Sequence, residues 1–181
     1  MRKLTFAAVV AAAAIGVSVS AQQKVTELPM GKGGSGRAKV EAVVDGANVS
    51  IEYGRPALKG RVPGKDIDPY EGKEWRTGAD AQTTLVTDRA LKFDTLAVPA
   101  GTYGIHTIPV KGTWQLIVSK RDKGWGIPYP AGQDLGRVPM TMGKVPKPEE
   151  RLTISIEDTA KGGMLHIDWG QTRASIPFTV G

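Results

Sequence analysis

The sequence predicts an all-β protein: a single-domain antiparallel β-sandwich of jelly-roll type, or a flattened barrel. Three observations carry this. Apolar and polar residues alternate at period two along most of the chain after residue 37, and helical periodicity is absent there. Turn formers are abundant, with 23 Gly and 12 Pro in 181 residues, and they fall between the alternating runs. Each run has one apolar face, the pattern of antiparallel strands with one side on a core and the other in water.

The chain opens with a secretory leader by pattern. Arg2 and Lys3 form a basic start, and Phe6 to Val19 is an Ala-rich apolar run too short to span a bilayer comfortably. Ser18-Val19-Ser20-Ala21 then offers small residues for cleavage after Ala21. Residues 1–21 are therefore expected to be a signal peptide, and the protein periplasmic or secreted. No integral membrane segment is expected in the mature chain. Residues 22–37 are polar and Gly-rich and read as a flexible lead. Gly31-Lys32-Gly33-Gly34-Ser35-Gly36 has neither the spacing nor the following helix of a phosphate loop.

The sandwich domain then runs over 38–181. Asp45-Gly46 separates Val40–Val44 from Val49–Tyr53, which predicts a hairpin. A long Pro- and Gly-containing connection follows, from Arg55 to Glu74. Leu91 and Phe93 alternate with Lys92 and Asp94. Tyr103 and Ile105 share one face of a strand whose other face carries Thr102, His106 and Ile108. Trp114, Leu116 and Val118 share a face of the next strand. Gly124 to Pro148 reads as a second long connection. Leu152, Ile154 and Ile156, then Leu165, Ile167 and Trp169, flank a turn at Lys161-Gly162-Gly163. Ala174, Ile176, Phe178 and Val180 close the chain.

Composition excludes several chemistries. Without cysteine there are no disulfides, thiolate metal sites or thiol nucleophiles. The net charge is +6, and Arg2 and Lys3 supply two of the 24 basic residues, so the remainder carries +4. Those charges are scattered, with no basic stripe interleaved with aromatics, and no nucleic-acid partner is expected. Two histidines sixty residues apart cannot make a cupin-like metal centre, and Asp66-Ile67-Asp68 lacks the further acids of a calcium loop. No metal or other cofactor is expected. No Gly-x-Ser-x-Gly nucleophile elbow occurs.

The order of Tyr53-Gly54-Arg55-Pro56, Lys59-Gly60-Arg61, Trp75-Arg76-Thr77-Gly78-Ala79, Ala100-Gly101-Thr102-Tyr103, Ile108-Pro109 and Trp114 resembles a bacterial family of exported proteins catalogued as domain of unknown function twenty-nine-eleven. Asp134, Arg137-Val138 and Asp168-Trp169 are similar to that family's pattern as well. The resemblance covers about Lys39 to Pro177 and implies no activity. Asp80-Ala81-Gln82 departs from the Asn-Glu-Ala type of segment found there.

The candidate site residues are Arg61, Trp75, Arg76, Asp80 and His106, all beyond what strand alternation requires. Arg55, Arg61 and Arg76 carry guanidinium forks suited to carboxylate or phosphate oxygens. In the expected arrangement Arg61 and Arg76 hold an anionic group, Trp75 stacks on the ligand and Asp80 orients Arg76. Alternatively, each arginine pairs with a nearby acid and pins the long loop. Trp114 and Trp169 fall in phase with apolar neighbours and are assigned to the core, and Trp125 is a second loop contact. No catalytic residue is assigned. The leading reading is a non-enzymatic module for a small-molecule or glycan-like ligand. The alternatives are a structural or protein-interaction module, and a hydrolase or isomerase using His106 as base with Asp80 or Glu74.

Overall fold

The computed structural model describes residues 23–181, so the expected leader at 1–21 lies outside the described residues. Ten strands form one antiparallel sheet: β1 (Lys24–Leu28), β2 (Gly36–Val44), β3 (Ala47–Arg55), β4 (Thr83–Thr87), β5 (Leu91–Phe93), β6 (Leu96–Val98), β7 (Gly101–Val110), β8 (Thr113–Ser119), β9 (Asp134–Thr159) and β10 (Gly162–Val180). Their order across the sheet is β1-β2-β3-β4-β7-β8-β9-β10-β5-β6, and the sheet does not close. The described residues contain no helix, and so none long and apolar enough to cross a membrane.

One sheet makes two layers because β9 and β10 are long and bend. The first part of β9 pairs with β8, from Met140↔Trp114 to Asp134↔Ser119. Its last part pairs with β10 and packs across β2 and β3. Tyr53 is sealed between these layers, and its hydroxyl accepts the Ile154 N–H at 3.0 Å. Burying a phenol with its polar end satisfied fixes the spacing of the layers. Alternating apolar residues fill the interior, including Val40, Ile51, Leu85, Leu116, Ile154 and Ile176, each at most 1% exposed.

The predicted β2–β3 hairpin forms with Val44 opposite Ala47. Asp45 and Gly46 take φ of 46° and 79°, the left-handed pair that matches strand twist in a two-residue turn. The β9–β10 turn lies one step earlier than expected, because Thr159 pairs with Gly162. Two connections change character. Residues 22–37, expected as a flexible lead, contain β1, which pairs with β2 from Lys24↔Glu41 to Leu28↔Arg37. Much of the expected connection 124–148 belongs to β9, despite Pro139, Pro146 and Pro148. The β9–β10 ladder accommodates the last two by splitting: Thr172 faces Lys144, whereas Gly170 faces Glu149.

Candidate functional site

The Trp75–Asp80 segment is built into the fold from both sides. Trp75 and Thr107 exchange backbone hydrogen bonds of 2.8 and 2.9 Å, which attaches the segment to β7. That bridge directs the indole inward. Trp75 is 4% exposed, donates Nε1–H to the Gly78 carbonyl at 3.2 Å, and meets Trp114 edge-on with centroids 6.2 Å apart. It has no free face for a ligand to stack on, contrary to the expected role. Trp114, assigned to the core by phase, is only half-buried. Thr77 is sealed as well, with its carbonyl accepting Thr83 Oγ1–H at 2.9 Å.

Arg76 points away from this core. Its Nη1 donates to the Trp125 carbonyl at 2.9 Å, and the guanidinium lies 5.1 Å from the Trp125 ring centroid. Burial lowers its pKa, opposed by Asp80 and Asp68. Asp80 does not hydrogen-bond Arg76. It is 5% exposed, and its Oδ2 accepts the Ser35 N–H at 3.2 Å. A Cβ on Gly31 or Gly33 would fall 2.0 or 1.9 Å from the Asp80 carboxylate oxygens, so only glycine lets this turn close on the buried acid. The turn is completed by Gly31 N–H to Ser35 O and Gly34 N–H to Gly31 O, both 2.9 Å. Asp80→Ala is expected to cost about 1–3 kcal/mol in urea denaturation by orphaning this turn, and Asp80→Asn less, because it keeps an acceptor.

His106 is sealed on the other face of β7, under the 120–133 loop. It is 0% exposed, and its ring meets Tyr129 edge-on at 5.0 Å. The Gly126 carbonyl faces the ring, but neither ring nitrogen makes a hydrogen bond of ordinary geometry with any described residue. Burial lowers its pKa to about 4, against smaller opposing effects of Gly126, Asp134 and Glu74. Asp80 and Glu74, the expected carboxylate partners of a His106 base, do not hydrogen-bond it.

Beside His106 lies a network that sequence reasoning did not assemble. The Tyr129 hydroxyl donates to Asp134, whose Oδ2 pairs with Arg137 Nε at 2.6 Å. Arg137 also donates to the Tyr129 oxygen at 3.3 Å and pairs with Glu74 at 3.6 Å. Burial, followed by the Asp134 carboxylate, pushes the Tyr129 pKa up. The groups satisfy one another and tie the loop and β9 to the segment before Trp75. Asp134 and Arg137 appeared in the sequence only as part of the family resemblance; Tyr129 gave no signal.

Arg61 lies apart from Arg76 and joins a different group. Arg55, Lys59, Arg61 and Arg151 line a depression of about 260 Å³ whose rim includes Gly34, Ser35 and Gly36. Among the described residues no carboxylate lines it. Two backbone carbonyls hold the Arg61 fork, Leu58 O to Nε at 2.9 Å and Ala57 O to Nη2 at 2.8 Å, and Nη1 bonds none of the described residues. Arg55 donates to the Leu152 carbonyl at 3.1 Å and pairs with Glu27. Arg151 comes in from β9 through the Ala57↔Arg151 bridge, and its Nη1 lies 3.1 Å from where a Gly36 Cβ would be. Asp80 contributes to this site indirectly, by holding the turn that ends in its rim. Among the described residues no group of three His, Asp or Glu side chains is close enough to hold a metal ion.

These features define an all-β antiparallel protein with a basic surface depression and a separately braced Trp75 segment. The chain belongs to the family described as protein of unknown function (DUF2911), which matches residues 35–178. No curated protein and no solved structure matches it.

Proposed function

We propose that this protein is an exported, non-enzymatic binding module that takes a small anionic ligand in the Arg55–Lys59–Arg61–Arg151 depression. The observation that carries the reading is the lining itself: four cationic side chains and, among the described residues, no carboxylate in the lining of about 260 Å³, with Glu27 pairing Arg55 from outside it. Arg61 is already oriented by backbone carbonyls, so a ligand need not bear the cost of ordering it, and Arg55 is held beside it by the Leu152 carbonyl and Glu27. Planar forks of this kind bind carboxylate or phosphate oxygens two at a time. The apolar run at Phe6–Val19 and the small residues before Gln22 support export.

A thermal-shift panel of phosphate, sulfate, acetate, citrate and glucuronate tests the reading. An anion at about a hundred times its dissociation constant adds roughly 2.7 kcal/mol, or on the order of 5–10 °C for a domain of this size. Arg61 and Arg151 are exposed, so Arg61→Ala and Arg151→Ala are expected to keep the fold and lose most of the shift. A shift that survives both substitutions, or none with any anion, removes the site.

One observation favours a second reading, a purely structural module. The Trp75–Asp80 segment spends its polar groups on neighbouring backbone and loops. That reading predicts variants that lose stability and bind nothing.

A further inference from the structure

We propose a second binding site, distinct from the anion depression: the open end of the sandwich at Trp114 binds a neutral saccharide ring. Trp114 lies on the same face of β8 as the sealed Leu116 and Val118, but one step nearer the tip of the β7–β8 hairpin. The core ends there. The indole is half-buried, held edge-on against the sealed Trp75, and it floors a depression of about 390 Å³ together with the half-buried Met142. That volume is within the range of pockets that hold small organic ligands.

The rim explains why the occupant would be a sugar rather than an apolar molecule. Glu71, Lys144, Gln171 and Thr172 surround the indole. None of their side chains makes a hydrogen bond or ion pair with any described residue. Among the described residues Glu71 and Lys144 are the only charged groups in the lining, one of each sign, so the lining has no net charge. An aromatic floor inside a polar rim of no net charge matches a ring with C–H groups on one face and hydroxyls around its edge. The split ladder borders this space. Between the Thr172↔Lys144 and Gly170↔Glu149 pairs the register shifts, one residue, Gln171, standing against four, 145–148, so the ladder is interrupted where Lys144 and Gln171 line the depression. A Cβ on Gly112 or Gly143, which also line the depression, would meet nothing within 4 Å.

The two depressions share no lining residue, so either can fail without the other. The test is saturation-transfer NMR on the purified protein with the neutral disaccharides maltose, cellobiose and chitobiose. At least one is expected to give saturable transfer concentrated on one face of a ring. Trp114→Phe is expected to weaken it about tenfold or less, and Trp114→Ala by more than tenfold. Because Trp114 also packs on Trp75, Gln171→Ala provides the exposed variant that keeps the fold and still weakens binding. Arg61→Ala is expected to leave the transfer unchanged. The proposal is overturned if no disaccharide gives saturable transfer. It is also overturned if Gln171→Ala and Trp114→Phe bind as the unsubstituted protein does, or if acetylated peptides bind there and sugars do not.

Discussion

Lowering the pH from 7 to 4 is expected to cost this protein about 3 kcal/mol through His106 alone. The imidazole is sealed, and its folded pKa is lowered to about 4. In the unfolded chain it returns to the ordinary histidine value of about 6.5. Above that pH the side chain is neutral in both states and the stability is fully present. As the pH falls, the unfolded chain takes up the proton first, so stability drops until the folded pKa is reached. Asp134, Glu74 and Arg76 are the charged groups acting on the ring, and burial outweighs all of them. Urea denaturation at the two pH values checks this by comparison with His106→Leu. Carboxylates such as Glu41 and Asp88, which also lose favourable interactions in acid, are common to both proteins and cancel in the difference. The leucine variant is expected to lose about 3 kcal/mol less on acidification and to match or exceed the parent at pH 7, since it removes two unsatisfied ring nitrogens. Equal acid losses in the two proteins, or an imidazole that titrates near pH 6.5 by NMR in the folded state, would show that His106 is not sealed.

Gly54→Ala is expected to destabilise the domain by roughly 3 kcal/mol or more, a fall of about 10 °C in Tm. A Cβ at this position would sit 1.9 Å from the Ala79 carbonyl oxygen and 2.8 Å from its nitrogen. These are backbone atoms, held in place by the Trp75–Thr107 bridge and the Thr83–Thr77 hydrogen bond, so they cannot swing aside as a side chain would. The contact is mutual, because a Cβ on Gly78 would come 2.9 Å from the Gly54 carbonyl oxygen. Gly143→Ala, with open space around it, is the control and is expected to stay within about 0.5 kcal/mol. A Gly54→Ala protein as stable as that control would mean that the Trp75–Asp80 segment does not pack on β3.

The strands legible in the sequence are those with one face on the core and the other in water. Val49–Tyr53, Leu152–Ile156 and Ala174–Val180 alternate because only one of their faces is buried. β4 escaped because Thr83 and Thr87 occupy buried positions that alternation looks for in apolar residues. The first half of β9 escaped because its prolines read as loop, although the ladder absorbs Pro146 and Pro148 by splitting. Alternation also says which face a residue takes, not how far along the sandwich it sits. Trp114, in phase with Leu116 and Val118, was therefore assigned to the core although it is only half-buried at its edge, whereas Trp75 had no phase and is buried by its bridge to Thr107.

Arg61 was visible as a candidate, and so was its neighbour Arg55. Their companion Arg151 was not, because only the bridge from Ala57 to β9 brings it near. The crowding of Trp75, Arg76 and Asp80 in sequence reflects bracing as much as chemistry. A polar segment laid against a sheet must hydrogen-bond every group it buries.

The most direct test is an amide-resolved NMR titration of the protein with inorganic phosphate. Binding in the depression predicts saturable shifts at Gly34, Ser35, Gly36 and Arg151 and in the arginine Nε–H signals. Those shifts are expected to vanish in Arg61→Ala and Arg151→Ala. Shifts that grow without saturating, or that are scattered over surface lysines and spare the Gly34–Gly36 rim, would contradict it.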